Sequence, residues 1–392
     1  MSEPVAVLGV GQTTYKRRHP ESSAADLIWA AAEEALADAG LGIDAVDVII
    51  AGVAPDALAG ENCVEKTAIF GTGKPFLRVN TGGVTGSSTT FAGASYVASG
   101  RARAALVVSL ERMGQASTSQ RVFNTIFDPV YEKDFPLTTI TMAALRASML
   151  MRVYGYSERH WAEIAARNYR HALRNPLAHL HLEVTPEDVL ASPLLAWPIH
   201  RLEACPMSEG ACALVLGGRE LAAGRNAAWI QGMASTSDSY AMGDRIRRPE
   251  GSLVDLLSLQ RSAVRAYADA GVTDPRKEFG VVELYSPFSS AEAMTYPALG
   301  FCAPLDGPRF IQEQQEDPSL RSSTPPAGRR RPTRSAPRPW SASPNAPCRS
   351  AAWPGSGRWP TCGGRWPPGR AAPRSFRPPA CWARSVHDEQ VV

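Results

Sequence analysis

The amino-acid sequence predicts an α/β fold built from two similar α/β halves, of which the first carries a helical insertion and the second is incomplete. Short apolar runs alternate with stretches of strong helix formers along the first part of the chain. One combination of helix, glycine and apolar run occurs twice in the same order. The composition changes near residue 316, and the residues after it cannot build an apolar core.

Strands and helices alternate in the predicted first half. Residues 5–10 form a short apolar run, as expected for a buried strand, and Gly40 follows a stretch of strong helix formers as a typical helix stop. We predict strands over 5–10, 46–52, 104–110, 211–216 and 228–232, and helices over 24–39 and 86–100. Strands that alternate with helices of this length indicate a largely parallel sheet.

The pattern changes between about residue 112 and residue 190, where helices are joined by polar loops. Residues 139–154 and 157–174 are predicted to be helical. Thr185 and Pro186 form a typical helix start, with a capping residue before a proline at the first helical position. We interpret this stretch as a helical insertion over the face of the sheet.

A short repeat indicates that the fold is duplicated. The sequence Ala-Leu-Ala-Asp-Ala-Gly ends at Gly40, and Ala-Tyr-Ala-Asp-Ala-Gly ends at Gly271. An apolar run follows each glycine, over 46–50 and over 280–284, and both runs are predicted to be strands. Two similar halves would explain the match. A chance match is the alternative, because Ala-Asp-Ala-Gly is a common way to end a helix.

The C-terminal tail differs in composition from the rest of the chain. After Leu320 there is no lysine, leucine, isoleucine or tyrosine, while arginine, proline and tryptophan are frequent. A disordered Arg/Pro-rich linker is one interpretation, although disordered segments avoid tryptophan. We favour translation of a shifted frame in a GC-rich gene, because that frame permits Asn-Pro-Ser-Gly-Gly and Ala-Asn-Pro-Ile in this region. The predicted domains are a first half over 1–220, a partial second half over 221–315 and a non-native, disordered tail over 316–392.

Charge and cysteine content bear on several functional classes. The net charge of +3 and the pI of 8.5 come from the tail, so they give no support to a nucleic-acid partner. The chain has no apolar run of about 18 residues and no basic, apolar leader, which argues against a membrane span and a signal peptide. No cysteines are spaced as a metal-binding C-x-x-C pair. We expect a cytoplasmic protein without a metal site.

Three segments of the chain resemble the thiolase superfamily. Arg-Val-Asn-Thr-Gly-Gly-Val-Thr-Gly-Ser at 78–87 resembles the strand, loop and helix that carry the thiolase nucleophile. Pro-Met-Ser-Glu-Gly-Ala at 206–211 is similar to the motif that closes the first half, and Glu-Leu-Tyr-Ser-Pro-Phe at 283–288 to the segment with a catalytic histidine or asparagine. The shifted-frame sequences resemble the C-terminal glycine loops. The likeness is closest to the lipid-transfer-protein branch, in which some members are aldolases that cleave steroid side-chain CoA thioesters.

The resemblance implies a site whose chemistry differs from that of true thiolases. The position of the nucleophilic cysteine falls on Gly83, and without a thiolate no acyl-enzyme can form. The position of the thiolase histidine falls on Tyr285, whose phenol can exchange a proton with a β-hydroxyl group. We predict Tyr285 as the catalytic residue and Asn80, Gly83, Val84 and Ser87 as substrate-binding residues. The backbone amides of Gly83 and Val84 are expected to hold the thioester oxygen.

Several of the candidate residues have a structural alternative. The turn at Gly83 could serve only to join a strand to a helix, and Tyr285 could be a core aromatic. We interpret Cys205 as a structural thiol rather than a nucleophile. His160 is expected to be solvated on a polar helix face, and His200 to be a hydrogen-bonded structural residue.

The resemblance implies retro-aldol cleavage of a β-hydroxyacyl-CoA, such as a steroid side-chain CoA thioester. The alternatives are an acetyl-CoA acyltransferase (thiolase) and a non-catalytic protein that binds acyl-CoA or lipid. The coenzyme A thioester is the substrate, and no other cofactor is expected. The family further implies a homodimer and a small accessory protein with a zinc ribbon and an OB-like domain. Loss of the C-terminal strands would leave sheet edges uncovered and could make this chain inactive.

Overall fold

The computed structural model describes residues 3–53, 72–115, 119–132, 134–239, 241–246 and 253–316, so the predicted tail lies outside the described residues from 317 onward. Its strands are β1 (Val5–Gln12), β2 (Val48–Val53), β3 (Phe76–Val79), β4 (Ala104–Arg112), β5 (Leu194–Ala196), β6 (Ile199–His200), β7 (Glu209–Gly217) and β8 (Ala228–Ile230). Its helices are α1 (Ala24–Ala39), α2 (Thr85–Ala98), α3 (Ser119–Phe123), α4 (Thr139–Tyr154), α5 (Glu158–Ala172), α6 (Pro186–Ala191), α7 (Arg219–Ala222), α8 (Met242–Ile246), α9 (Leu257–Ala270), α10 (Pro275–Glu278), α11 (Ser289–Ala298) and α12 (Gly307–Glu316). None of these helices is both long and apolar enough to cross a membrane.

Six strands form one mixed sheet in the order β3-β2-β4-β7-β1-β8. β2 runs parallel to β3 and β4, whereas β7 is antiparallel to β4 and β1, and β8 is antiparallel to β1. The strands β1 to β4 all point the same way, as predicted for a largely parallel sheet, but β7 and β8 are reversed. Arg112 at the end of β4 faces Glu209 at the start of β7. Because the insertion leaves and re-enters the sheet at the same end, β7 must run back along β4.

Helices α1 and α2 cover the two faces of this sheet, as the alternating pattern predicts. α1 packs on β1, β4 and β7 through small side chains such as Ala31 and Ala35, which are fully buried. α2 packs on β2 and β4 on the other face, where Ala94 and Val97 are buried. The sheet therefore holds its cover helices through close contacts between small apolar residues.

The insertion is helical, as predicted, but the prediction that it lies over the face of the sheet is wrong. Helices α4 and α5 pack instead on α11 and α12. Trp161, Ile164, Tyr296 and Ile311 are almost fully buried at the centre of this second core. Because α1 and α2 already cover both faces of the sheet, the apolar sides of α4 and α5 are buried against the C-terminal helices.

The repeated helix and glycine are confirmed, but the second repeated strand is wrong. α1 and α9 both end at a glycine in the left-handed conformation, with φ of 63° at Gly40 and 72° at Gly271. β2 then joins the sheet, whereas residues 280–284 form no strand, and only Val282 makes a bridge. The described residues provide this segment with no continuous neighbouring strand, and a ladder of hydrogen bonds needs one.

Candidate active site

The loop around Gly83 joins the edge strand β3 to helix α2. A short 3₁₀ turn, Gly82–Val84, begins the helix, and Gly82 has φ of 61°, a conformation that favours glycine. The Gly82 N–H donates to Asn80 Oδ1 over 3.2 Å, and Thr85 Oγ1 donates to the Gly82 carbonyl over 2.6 Å. The first N–H groups of a helix have no intrahelical acceptor and carry partial positive charge. This loop is therefore suited to hold a developing oxyanion.

Tyr285 lies between α10 and α11, in a segment that forms neither a helix nor a strand. Val282 and Leu284 come before it and pack on the second core. After it, the Pro287 carbonyl accepts a hydrogen bond of 2.9 Å from the Cys205 N–H at the end of the insertion. The segment is therefore fixed on both sides of Tyr285, by apolar packing before it and by the backbone after it.

The fold brings Gly83 and Tyr285 together from these two separate parts of the chain. A β-carbon placed on Gly83 would lie 3.9 Å from the Tyr285 hydroxyl oxygen. Because position 83 has no side chain, the space in front of the hydroxyl is left for a ligand. The Tyr285 residue is 73% exposed, so most of its ring faces solvent.

The surroundings of the Tyr285 hydroxyl keep it protonated. Burial of the hydroxyl end raises the pKa of Tyr285, and the neighbouring Cys205 adds to the effect, although most of the residue faces solvent. Burial also raises the pKa of the Cys205 thiol, although the residue as a whole is exposed. At neutral pH the phenol is therefore a hydrogen-bond donor, and Cys205 lacks the thiolate that nucleophilic catalysis requires.

The other predicted binding residues lie on the same loop as Gly83. Asn80, Gly83, Val84 and Ser87 are all exposed, either just before α2 or in its first turn. The Asn80 side chain is occupied in closing the turn, since its oxygen accepts the Gly82 N–H. The backbone thus presents these positions on one surface, and their role in binding stays a prediction.

The two histidines behave differently from each other. His160 is buried rather than solvated, because its Nδ1 accepts the Ser157 N–H over 3.0 Å at the start of α5, and burial lowers its pKa. The helix-face pattern missed this capping role. His200 is a hydrogen-bonded structural residue, as predicted, with Nδ1 2.8 Å from the Ser192 carbonyl oxygen and Nε2 3.4 Å from Glu158 Oε2.

A cavity beside Cys205 contains polar groups that the sequence analysis did not identify. Glu203 is buried at this cavity, and burial raises the pKa of its carboxyl to about 7. His179 also lines it, with Nδ1 2.7 Å from Ser208 Oγ, and burial lowers its pKa so that the imidazole is neutral. Glu203 and Ser208 stand on either side of Cys205 in the sequence. His179 comes from a distant loop, so no local spacing could reveal the grouping.

Comparison with known sequences gives related proteins of two kinds. Residues 5–191 match the family described as thiolase, N-terminal domain. The chain is 26% identical over 329 residues to sterol carrier protein 2 from Homo sapiens, and the match covers 78% of this chain and 58% of that protein. It is 24% identical over 319 residues to an acetyl-CoA acetyltransferase from Methanocaldococcus jannaschii, with 79% of each covered. The chain thus spans less than two thirds of the length of its sterol carrier protein relative.

Comparison with solved structures gives a similar fold in an Ltp2-ChsH2(DUF35) aldolase. The TM-score is 0.65 at 25% sequence identity, and the match covers 79% of this chain and 80% of the other. The predicted fold class is confirmed by this agreement and by the mixed α/β architecture of the described residues.

Proposed function

We propose that this chain belongs to the lipid-transfer branch of the thiolase superfamily, to whose members it is similar, and that it cleaves a carbon–carbon bond of a β-hydroxyacyl-CoA by a retro-aldol reaction. The observation that carries the proposal is the approach of the Tyr285 hydroxyl to the Gly83 loop, 3.9 Å from the place of a β-carbon at Gly83. Cleavage next to a thioester requires a group that exchanges a proton with the β-hydroxyl and donors that hold the resulting enolate oxygen. Tyr285 and the start of α2 supply these two functions from opposite sides of one opening.

The proposed reaction assigns one step to each part of the site. The thioester carbonyl lies at the amides of Gly83 and Val84, and the β-hydroxyl lies at the Tyr285 hydroxyl oxygen. The bond between Cα and Cβ breaks, and its electron pair forms the thioester enolate that the amides stabilise. The β-hydroxyl becomes a carbonyl as its proton passes to Tyr285, which gives its own proton to water. The enolate takes a proton from solvent at Cα, so an aldehyde or ketone and a shorter acyl-CoA leave.

An acyltransferase is the second candidate, because the chain is similar to an acetyl-CoA acetyltransferase. That reaction requires an acylated thiol as an intermediate. Gly83 has no thiol, and burial raises the pKa of the Cys205 thiol, which disfavours its thiolate. An acyl group covalently attached to Cys205, detected by intact-protein mass spectrometry, would favour the transferase over the lyase.

Replacement of Tyr285 tests the proposed lyase directly. A 3-hydroxyacyl-CoA is incubated with the full chain and with a form whose C-terminal reading frame is restored, and the shorter acyl-CoA is measured by mass spectrometry. Tyr285→Phe is expected to lower kcat roughly 10²–10⁴-fold, the usual contribution of a general acid–base group. Tyr131→Phe, the same change at a tyrosine that is 79% exposed in the insertion, is the control and should leave kcat unchanged. Equal rates for the wild type and Tyr285→Phe would exclude the proposed role.

The same family relationship supports a proposal about assembly. Among the described strands β3 lies at the edge of the sheet and exposes Leu77, and such an edge can pair with a second copy. We therefore propose a homodimer through this edge. The similar aldolase is named for two components, Ltp2 and ChsH2(DUF35). This supports a small accessory partner for this chain as well. Light scattering of the purified protein distinguishes the dimer from a monomer.

A further inference from the structure

A cavity of about 220 Å³ lies between the end of the insertion and the segment that carries Tyr285. About half of its wall is apolar, formed by four alanines, two of them on α5, together with Leu180, Leu202 and Pro206. The other half is formed by Asn168, Tyr169, His179, Glu203, Cys205, Ser286 and Ser289. Cavities for whole ligands measure about 300–1,000 Å³, so this one is the size of a segment of a ligand.

Glu203 stands out among the polar groups because half of its carboxyl has no partner. The residue is 4% exposed, and its Oε2 accepts the His200 N–H over 3.0 Å. Its Oε1 is buried and makes no hydrogen bond within the described part of the chain. A buried polar atom without a partner is costly, so the arrangement indicates that Oε1 meets a group that this chain does not supply.

The protonation of Glu203 determines which group fits. Burial raises its pKa to about 7, while the His200 N–H and imidazole oppose the rise and Glu158 on α5 adds to it. The neighbouring His179 has its pKa lowered by burial and Cys205 has its pKa raised by burial, so both are neutral at physiological pH. A protonated carboxyl donates one hydrogen bond, and neither neutral neighbour repels an uncharged acceptor.

The position of the cavity relative to the proposed reaction decides which part of a ligand reaches it. The Tyr285 hydroxyl lies next to the Gly83 loop, and Tyr285 also lies close to Cys205. Cys205 and Ser286, the residue after Tyr285, both line the cavity. If the thioester carbon lies at Gly83 and the β-carbon at Tyr285, the atoms beyond the β-carbon are directed toward Cys205 and the cavity.

We propose that this cavity is an acyl-chain subsite in which the Glu203 carboxyl donates a hydrogen bond to a carbonyl oxygen located on the acyl chain beyond the β-carbon. The inference rests on the proposed function, because that function sets the direction of the chain. It names the substrate class more narrowly, as acyl-CoA thioesters whose chain carries a further keto group.

Binding of matched thioesters to the full chain tests this subsite without any turnover. Two pairs are compared by isothermal titration calorimetry: hexanoyl-CoA with 5-oxohexanoyl-CoA, and octanoyl-CoA with 7-oxooctanoyl-CoA. At pH 6 the wild type should bind at least one keto compound about 3- to 10-fold more tightly than its parent, the effect of one hydrogen bond. At pH 8.5 the preference should disappear, because a carboxylate cannot donate.

Two variants separate the hydrogen bond from a change in folding. Glu203→Gln retains a donor that does not titrate, so the keto preference should persist at both pH values. Glu203→Leu should abolish the keto preference at both pH values. Glu33→Gln, on the exposed side of α1, is the control and should behave as the wild type.

An equal change in affinity for the keto and parent thioesters would overturn the subsite and assign Glu203 to the pantetheine arm or to folding. A wild type that shows no keto preference at pH 6 would overturn it as well. Cleavage of a 3-hydroxyacyl-CoA without any keto preference would refute only this inference. A keto preference without any cleavage would refute the lyase and retain the subsite.

Discussion

Two regions of the molecule hold the two sides of the candidate site by different means. The sheet region, made of the six-stranded sheet with α1 and α2, fixes Gly83 through backbone ladders and apolar packing. The helical region, made of α4–α6 and α9–α12, fixes Tyr285 through the packing of helices around a buried ion pair. In that pair Arg167 of α5 donates to Glu292 of α11, and both are buried. The helices behind Tyr285 are therefore joined by a buried side-chain pair, whereas the sheet behind Gly83 is held mainly by backbone ladders and contacts between small apolar residues.

Breaking the buried ion pair of the helical region should cause the largest loss of unfolding free energy. Besides Arg167, Glu292 accepts hydrogen bonds from Tyr296 over 2.7 Å and from Asn168 over 2.8 Å. Arg167→Met leaves this carboxylate buried without a cation, which should lower the free energy of unfolding by about 3–5 kcal/mol. Urea denaturation measures the loss.

The double variant Arg167→Met/Glu292→Met is the control for the buried ion pair. It should recover much of the stability, because an apolar pair of similar volume is often as stable as a buried ion pair. If Arg167→Met alone left the unfolding free energy unchanged, the ion pair would not stabilise the packing of the helical region.

The difference between the regions also explains which features the sequence predicts. The elements of the sheet region follow from local patterns: alternating apolar runs, strong helix formers and the stop at Gly40. The bounds of α4 also agree with prediction, because its pattern is local. The Arg167–Glu292 pair joins positions that are 125 residues apart, and such a pair leaves no periodic signal in a sequence. The segment 280–284 has the composition of a strand, but a strand needs neighbours that composition does not reveal.

Some residues of the candidate site could likewise be predicted from the sequence, and others could not. Gly83 and Tyr285 were identified by the resemblance of their segments to a family, and the fold brings them together. Glu203 and His179 were missed, because neither lies in a pattern that indicates chemistry. Their grouping depends on how the insertion returns to the sheet, which the sequence predicted as a cover over the sheet face.

Titration of Glu203, close to the helical region, should cause the second largest change in unfolding free energy. Burial raises its pKa from 4.5 to about 7, so the folded state binds this proton more tightly than the unfolded state does. The protonated carboxyl stabilises the fold fully below about pH 4.5, and this contribution is lost as pH rises to about 7. The shift corresponds to about 3 kcal/mol of unfolding free energy between those limits.

The pH dependence of stability in Glu203→Gln checks this assignment. Urea denaturation between pH 4.5 and 8 should show a loss in the wild type that is absent from the variant, so the difference between them changes with pH. Glu33→Gln, at an exposed position on α1 in the sheet region, should follow the wild type throughout. Parallel curves for the wild type and Glu203→Gln would contradict the raised pKa.

A smaller loss of stability is expected from a change in the sheet region, where glycines of β1 bring the strand close to the backbone of α1. A β-carbon on Gly11 in β1 would lie 2.1 Å from the Ala31 carbonyl oxygen of α1, so the helix must move away from the sheet. Gly11→Ala should lower the unfolding free energy by about 1–3 kcal/mol through overpacking. Gly42→Ala is the matched control, because a β-carbon there meets no atom within 4 Å among the described residues. Equal stability of the two variants would show that α1 is not packed this closely on β1.

The smallest loss of stability is expected from alanine substitutions at the two repeated helix ends, one in each region. Gly40 and Gly271 both have positive φ, so alanine at either position should cost about 1 kcal/mol. The two costs should nevertheless be observed differently.

α1 buries eight residues against the sheet, so strain at Gly40 should lower global stability in urea denaturation. Among the described residues of α9 only Ala263 is buried, so strain at Gly271 should instead increase local opening. Native-state hydrogen exchange should then show faster exchange confined to α9 in Gly271→Ala, with the sheet amides unchanged. Equal loss of global stability in both variants would mean that α9 unfolds together with the sheet, and that the two regions form one cooperative unit.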